Sequence, residues 1–262
     1  WSAFWESSAI KFSRSLARNS LVLEVWTIAG IKINQLYKSF IVDGKKHDVL
    51  HDVNTFLPQN SINVILGKSG CGKTTFLRIL ANLEQCDQGE VLINSGEKIS
   101  FVFQEPRLMP WLSVSKNITF GLEKQKINFE EIEELMNLVG LKKFEKAYPH
   151  QLSGGMQQRV ALARALAYDP SIILMDEPFA ALDYFTREAM QKELIRIYQL
   201  KKKSIIFVTH SIEEAIAIGQ NIFVFNEGRV HAQFNLEQYE YPRDVLSPPL
   251  IEIKKEILKK LA

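Results

Sequence analysis

Cysteine is nearly missing from this chain: Cys71 and Cys86 are the only two among 262 residues. That scarcity excludes a disulfide-stapled secreted scaffold and fits a reducing compartment such as the cytoplasm. No run of about 18 apolar residues occurs, so no transmembrane helix is expected. Neither sign of charge dominates. The 32 Lys and Arg against 30 Asp and Glu leave a net charge of +2, too small to argue for nucleic acid or an anionic membrane surface as partner. Internal repeats and low-complexity stretches are also missing, which excludes solenoid architectures. What is present, 46% hydrophobic and 24% charged residues, is ordinary for a folded chain able to bury a sizeable core.

Residues 1–30 read as an N-terminal extension distinct from the rest. The chain opens on Trp1 and not Met, so a processed or truncated start is expected. Trp5, Phe12 and Trp26 alternate with Lys11, Arg14 and Arg18, and Glu24 interrupts the most apolar part. This segment reads either as a poorly ordered extension or as an amphipathic surface helix. The main domain is expected over residues 31–262. Short strands are expected at Ile31–Leu36 and Phe40–Val42, followed by a hairpin turn at Asp43-Gly44 and a return run from His47. Asp87–Glu90 reads as a turn before a strand at Val91–Ile93. Apolar runs at Ile62–Leu66, Ile99–Phe103, Ser171–Met175 and Ser204–Val208 have the length of buried strands. Helical spacing covers Phe129–Val139, Met156–Tyr168 and Arg187–Lys201. This alternation predicts a parallel sheet covered by helices.

The most informative stretch is Gly67-Lys68-Ser69-Gly70-Cys71-Gly72-Lys73-Thr74, followed by Thr75. It fits G-x-x-x-x-G-K-[ST] between a strand and a helix, the context in which that motif cradles nucleotide phosphates. Glycines let successive N–H groups turn inward, and the helix N-terminus adds unpaired donors. Lys73 supplies a point charge, and the Thr74 hydroxyl suits Mg²⁺. A second apolar strand ends in Asp176-Glu177, where a metal-directing Asp and a general base belong. A strand running into an acidic turn would look the same. Leu152-Ser153-Gly154-Gly155-Met156-Gln157 opens another helix, either as a simple capped terminus or as a second anion site. Two separate anion sites for one nucleotide suggest two copies of the chain, head to tail, with Ser153 of one meeting the phosphate held by Lys73 of the other.

With these residues in order, the chain resembles ATP-binding cassette (ABC) transporter ATPase subunits over about residues 31–262. The resemblance implies an α/β fold: a P-loop NTPase with a RecA-like core, an antiparallel β subdomain and a helical signature subdomain over about residues 105–166, closed by a C-terminal helix near 248–262. It assigns Gly67–Thr74 to the Walker A loop, Ile172–Glu177 to Walker B and Leu152–Gln157 to the signature. Gln104 matches the glutamine that touches Mg²⁺ and the attacking water. Asp183, in Ala181-Leu182-Asp183, matches the D-loop at the dimer interface. His210 matches the switch histidine, and Tyr37 the aromatic that stacks on adenine. The implied metal contacts are Thr74, Gln104 and Asp176, the catalytic set is Glu177, His210 and Gln104, and the bound species are ATP and Mg²⁺.

The same resemblance implies partners: a second copy, integral-membrane permease subunits and, indirectly, a solute-binding protein, with no nucleic acid. It puts the chain at the cytoplasmic face of the membrane. The block Phe103–Val114 and the tail from Tyr241-Pro242-Arg243 are similar to nitrate-, sulfonate- and taurine-type importer ATPases, implying uptake of a small solute of that kind or a vitamin precursor. ATPases of exporters or lipoprotein-release systems and soluble ABC proteins are the alternatives. Met109 and Trp111 either contact the permease or pack inside the helical subdomain. Ala180 and Ser211 depart from the residues common in these ATPases, Gly and Asp respectively.

Overall fold

The computed structural model describes residues 29–261 apart from Lys124, Lys126 and Ala181. The expected N-terminal extension lies outside this range except for its last two residues, and so does Ala181 of the D-loop.

Unbroken apolar runs form the centre. Strands β3 (Ile62–Leu66), β6 (Ile172–Asp176) and β7 (Ser204–Thr209) are buried along their whole length, as required where helices cover both faces of a parallel sheet. With β5 (Ile99–Val102), β8 (Asn221–Asn226) and β9 (Arg229–Asn235) they make a six-stranded sheet in the order β5-β6-β7-β3-β8-β9. Only the edge strand β9 runs antiparallel.

Alternate side chains enter two cores. On one face Val64, Leu66, Ile173, Met175, Ile205, Phe207 and Val224 pack beneath α4 (Gly154–Ala167), α5 (Tyr184–Lys201), α6 (Ile212–Ile218) and α7 (Pro248–Leu261). On the other, Ile65, Leu174, Ile206, Val208 and Phe225 meet α1 (Lys73–Leu80) and a second sheet. Full burial of a side chain such as Phe207 stabilises the fold by about 1.5–3 kcal/mol. The sequence reading draws no elements over residues 212–235, where α6, β8 and β9 lie.

The second sheet is antiparallel, with β1 (Gly30–Val42) between β2 (Lys45–Pro58) and β4 (Gln88–Leu92). Two expectations change here. The short strands Ile31–Leu36 and Phe40–Val42 are one strand, because register irregularities between Ile33 and Ser39 reset the in–out alternation and so break the period-2 signal. Most of the run Asp87–Glu90 is strand and not turn: Gln88 pairs with Tyr37 and Glu90 with Asn34. Tertiary pairing overrides the local turn chemistry of Asp and Gly.

A third core joins α2 (Val114–Ile118), α3 (Phe129–Leu138) and α4 through Val114, Ile118, Ile132, Met136, Val160 and Ala163. Helix α4 therefore serves two cores, since its Leu162, Ala165 and Leu166 pack on the six-stranded sheet. Among the described residues, no helix is long and apolar enough to cross a membrane.

Candidate functional site

Three loops leave the carboxyl edge of the six-stranded sheet side by side. Leu66 stands opposite Thr209, and Asp176 opposite Val208. The pairing runs one step past the strands: Gly67 N–H donates to the Thr209 carbonyl (3.3 Å), and Glu177 N–H to the Val208 carbonyl (3.0 Å). Parallel register thus gathers the Gly67–Thr74 loop, Asp176-Glu177 and His210 where open α/β sheets bind ligands.

The loop prepares an anion site. Gly72 is the N-cap of α1 and adopts φ 100°, a left-handed conformation that disfavours any residue with a Cβ. A Cβ there would also lie 2.8 Å from the Val49 carbonyl. Glycine offers no capping side chain, so the first-turn N–H groups remain for a ligand. Lys68, Ser69 and Gly70 are exposed and Thr75 is half-buried. The Lys73 side chain is 4% exposed; its Nζ donates to the carbonyls of Gly67 (2.9 Å) and Lys68 (2.8 Å) and lies 3.5 Å from Glu177 Oε1. Burial pushes the Cys71 thiol up, and the nearby Lys73 charge opposes that rise.

Asp176 is buried, and its Oδ1 accepts the Thr74 hydroxyl at 3.0 Å. Burial pushes its carboxyl above the ordinary carboxylate range, the Thr74 hydrogen bond opposes that rise, and the Glu177 charge adds to it. Thr74 Oγ1 and Asp176 Oδ1 form a pair of hard oxygen donors, which fits Mg²⁺ better than a thiophilic metal. Glu177 sits at φ 43°, a sparsely populated conformation for a residue with a side chain. Its carboxylate bridges a lysine and a histidine, with Oε2 2.9 Å from His210 Nδ1 and Oε1 facing Lys73. Gln104 is exposed just past the end of β5, and the neighbouring Phe103 carbonyl accepts Gln158 Nε2 of α4 at 3.3 Å. Tyr37 is half-buried on β1, in the antiparallel sheet.

The signature residues form a separate group. Ser153 caps α4, its Oγ accepting Met156 N–H at 3.3 Å. Ser153 and Gly154 are exposed, while Gly155 is buried with room for no Cβ, which would lie 2.6 Å from Thr186 Cγ2. Through that contact α4 and α5 start close together. Asp183 caps α5, accepting Thr186 N–H at 3.1 Å, and its hydrogen bonds from Thr186 hold its carboxyl below the ordinary range. The Gln157 amide donates to the carbonyls of Pro149 (3.0 Å) and Leu152 (3.3 Å), so its donors brace its own segment. The hydrogen bonds of this group stay within it, as those of Lys73 and Thr74 stay at the sheet edge.

Trp111 is 70% exposed and does not pack inside the helical layer, whereas Met109 is half-buried. The loop carrying them is held by residues the sequence reading passes over. The fully buried Asn117 side chain accepts Met109 N–H (2.8 Å) and donates to the carbonyls of Met109 (3.1 Å) and Leu112 (2.9 Å). Arg164 of α4 donates to the carbonyls of Pro106 (2.8 Å) and Arg107 (2.9 Å). Arg187 and Glu214 also escape the sequence reading. Each stands four residues after a site residue, Asp183 and His210, one helical turn in; that spacing is the signal that finds them.

The Asp176 environment yields a test. A carboxyl whose folded pKa is raised binds more protons folded than unfolded between the two pKa values, so its contribution lowers stability as pH rises through that window. Asp176→Asn should therefore raise the melting temperature of the protein at pH 7 in EDTA. The gain should shrink as pH falls toward the reference value of 3.8. An unchanged or lower melting temperature at pH 7 would show that the buried carboxylate carries no such cost.

The ABC transporter family pattern matches residues 50–180. An uncharacterized ABC transporter ATP-binding protein of Methanocaldococcus jannaschii is 44% identical, aligned over 87% of this chain and 90% of its own length. The aliphatic sulfonates import ATP-binding protein of Bacillus cereus is 41% identical over 87% of this chain and 94% of its own. Among solved structures, a dimeric post-hydrolysis state of an ATP-binding cassette bound to ADP and Pi superposes with a TM-score of 0.71 at 32% identity. That match covers 79% of this chain and 98% of the other. With the sheet-edge site and these relatives in agreement, the chain belongs to the ABC transporter ATP-binding family, and its fold is that of the P-loop ABC ATPases.

Proposed function

We propose that the chain is the ATP-hydrolysing subunit of an importer. It energises uptake of a small solute, of the sulfonate type or close to it, through separate membrane permease subunits. The observation that carries the hydrolytic reading is the Glu177 carboxylate, held at the sheet edge between Lys73 and His210. The sulfonate importer subunit of Bacillus cereus supports the direction and class of transport. The helical segment over about residues 105–166, with exposed Trp111, is the proposed permease-facing part. The subunit would then sit at the cytoplasmic face of the membrane, held there by the permease.

In this reading each side chain of the site has a role. Tyr37 flanks the adenine, and the N–H groups of Gly67–Thr75 together with Lys73 hold the phosphates. Thr74 and Asp176 would hold Mg²⁺, joined by Gln104 just past β5, and the ion would supply positive charge beside the outer phosphates. Glu177 takes the proton of a water whose oxygen attacks the terminal phosphorus as the bond to the leaving ADP oxygen breaks. His210 orients that carboxylate and reaches the terminal phosphate. Lys73, 3.5 Å from Glu177, keeps positive charge beside the forming phosphate. A second copy completes each site with Ser153, Gly154 and Gly155 at the start of α4, Gln157 bracing that turn and Asp183 lining the junction. ATP thus holds the pair closed, and phosphate release reopens it.

Three outcomes check this reading. Glu177→Gln should bind ATP with nearly unchanged affinity yet lose turnover by at least about 100-fold, because an amide is no base; near-wild-type turnover would remove the role. Ser153→Arg should abolish hydrolysis while a single copy keeps its ATP affinity; an equal loss of affinity would place Ser153 in its own copy's site. Extraction of the tagged chain from native membranes should bring down a polytopic membrane protein that stimulates its ATPase. Activity unaffected by any membrane fraction but raised by nucleic acid would overturn the transport assignment.

A further inference from the structure

We infer that Arg187 and Glu214 are positioning residues, coupling the turn at Asp183 to the turn at His210. The inference rests on the proposed roles of those two turns, one toward the second copy and the other toward the terminal phosphate.

The link is continuous. Arg187, in the first turn of α5, donates through Nη2 to the carbonyl of Leu182 at 2.9 Å, beside Asp183. Its Nε lies 3.6 Å from Glu214 Oε1 in α6. The other oxygen of Glu214 accepts the Thr209 hydroxyl at 2.5 Å, and Thr209 Oγ1 accepts Ser211 N–H at 3.0 Å. His210 is therefore bracketed on both sides by atoms that Glu214 holds. The Thr209 carbonyl accepts Gly67 N–H, so the same residue touches the start of the phosphate loop. Arg187 and Glu214 share the lining of one small cavity with Glu177 and His210.

Two features make this more than a brace. Glu214 is only 6% exposed, and taking a partner from so buried a carboxylate is costly. Arg187 Nε is buried without a hydrogen-bond partner, since 3.6 Å is an ion pair but not a hydrogen bond. A movement of α5 against α6 of under about 1 Å would close that gap. Engagement of the Asp183 turn by a second copy acts on α5 at this end. The α6 helix is meanwhile fixed at its far end, where Arg243 donates to the carbonyls of Ile216 (2.8 Å) and Gly219 (2.5 Å). Movement of Arg187 is thus delivered to the Thr209–Ser211 turn and not lost in a sliding helix.

The test is a double-mutant cycle on the full-length chain, read as kcat and KM for ATP at a chain concentration where specific activity has reached its plateau. Arg187→Met and Glu214→Gln should each lower kcat about tenfold with KM kept within about twofold, the split expected when transition-state geometry is lost and substrate binding is not. The double variant should be no slower than the slower single variant, because both cut one link. Thr209→Val, which keeps shape and the ion pair, should show the same kcat loss, and it decides the matter where an ion-pair variant fails to fold. Additive losses, or a lower melting temperature with unchanged kcat of the folded enzyme, would make the pair a structural brace and overturn the inference. Glu177→Gln in the same assay separates the two levels. Retained turnover there removes the functional reading and the pair's role with it, whereas lost turnover there beside normal kcat in Thr209→Val removes the pair alone.

Discussion

The site exists because β7 lies between β3 and β6 in one fixed parallel register. Leu66, Asp176 and Thr209 end their strands together, and each next residue opens a loop with a polar side chain to place. A slip of β7 by one residue would exchange Ile205 and Phe207 for Ile206 and Val208 between the two cores. All four are fully or almost fully buried, so the slip would put each into a space shaped for the other face. Core packing on both faces therefore sets where Lys73, Glu177 and His210 meet. No hydrogen bond between the three loops has to choose the arrangement, because the cores have already chosen it.

A second constraint is the double duty of α4. Its Leu162, Ala165 and Leu166 belong to the sheet core, while Val160 and Ala163 belong to the helical layer. The same helix begins at Ser153, donates from Gln158 to Phe103 beside Gln104, and from Arg164 to Pro106 and Arg107. Densely packed layers transmit small displacements instead of absorbing them. The loop near Trp111 and the turn at Ser153 are thus tied to one rigid element, the arrangement the proposed coupling of nucleotide and membrane partner requires.

How much of this the sequence discloses depends on how local the determinant is. The phosphate loop, the Asp176-Glu177 strand end and the Ser153 cap are contiguous patterns, and their elements stand within a few residues of where periodicity puts them. The edge sheet was harder to read. Bulges in β1 hide one strand as two, and Gln88–Leu92 contains turn residues whose pairing with Asn34 and Tyr37 comes from far along the chain. Asn117 and Arg164 are invisible to motif reasoning for another reason, and Arg187 and Glu214 are marked by nothing but their spacing from Asp183 and His210. Asn, Arg and Glu at such positions look like solvated helix residues, and only the folded chain reveals the carbonyls and hydroxyl they serve. Asp183 and Gln157 show the reverse: their side chains have local structural partners, so their presence in a motif does not separate a fold requirement from a ligand contact.

The costs of the site are concentrated where the fold can bear them. Asp176 is a buried carboxylate with one hydroxyl partner at 3.0 Å, Lys73 a buried ammonium resting on carbonyls, and Glu177 a left-handed residue. Each is unfavourable for a free-standing fold. Directly beneath them Met175, Phe207, Val208 and Leu66 are essentially inaccessible to solvent, and each contributes about 1.5–3 kcal/mol of burial. Strain at a strand end is tolerated because the strand itself cannot move, and the same immobility fixes the direction of the Glu177 carboxylate.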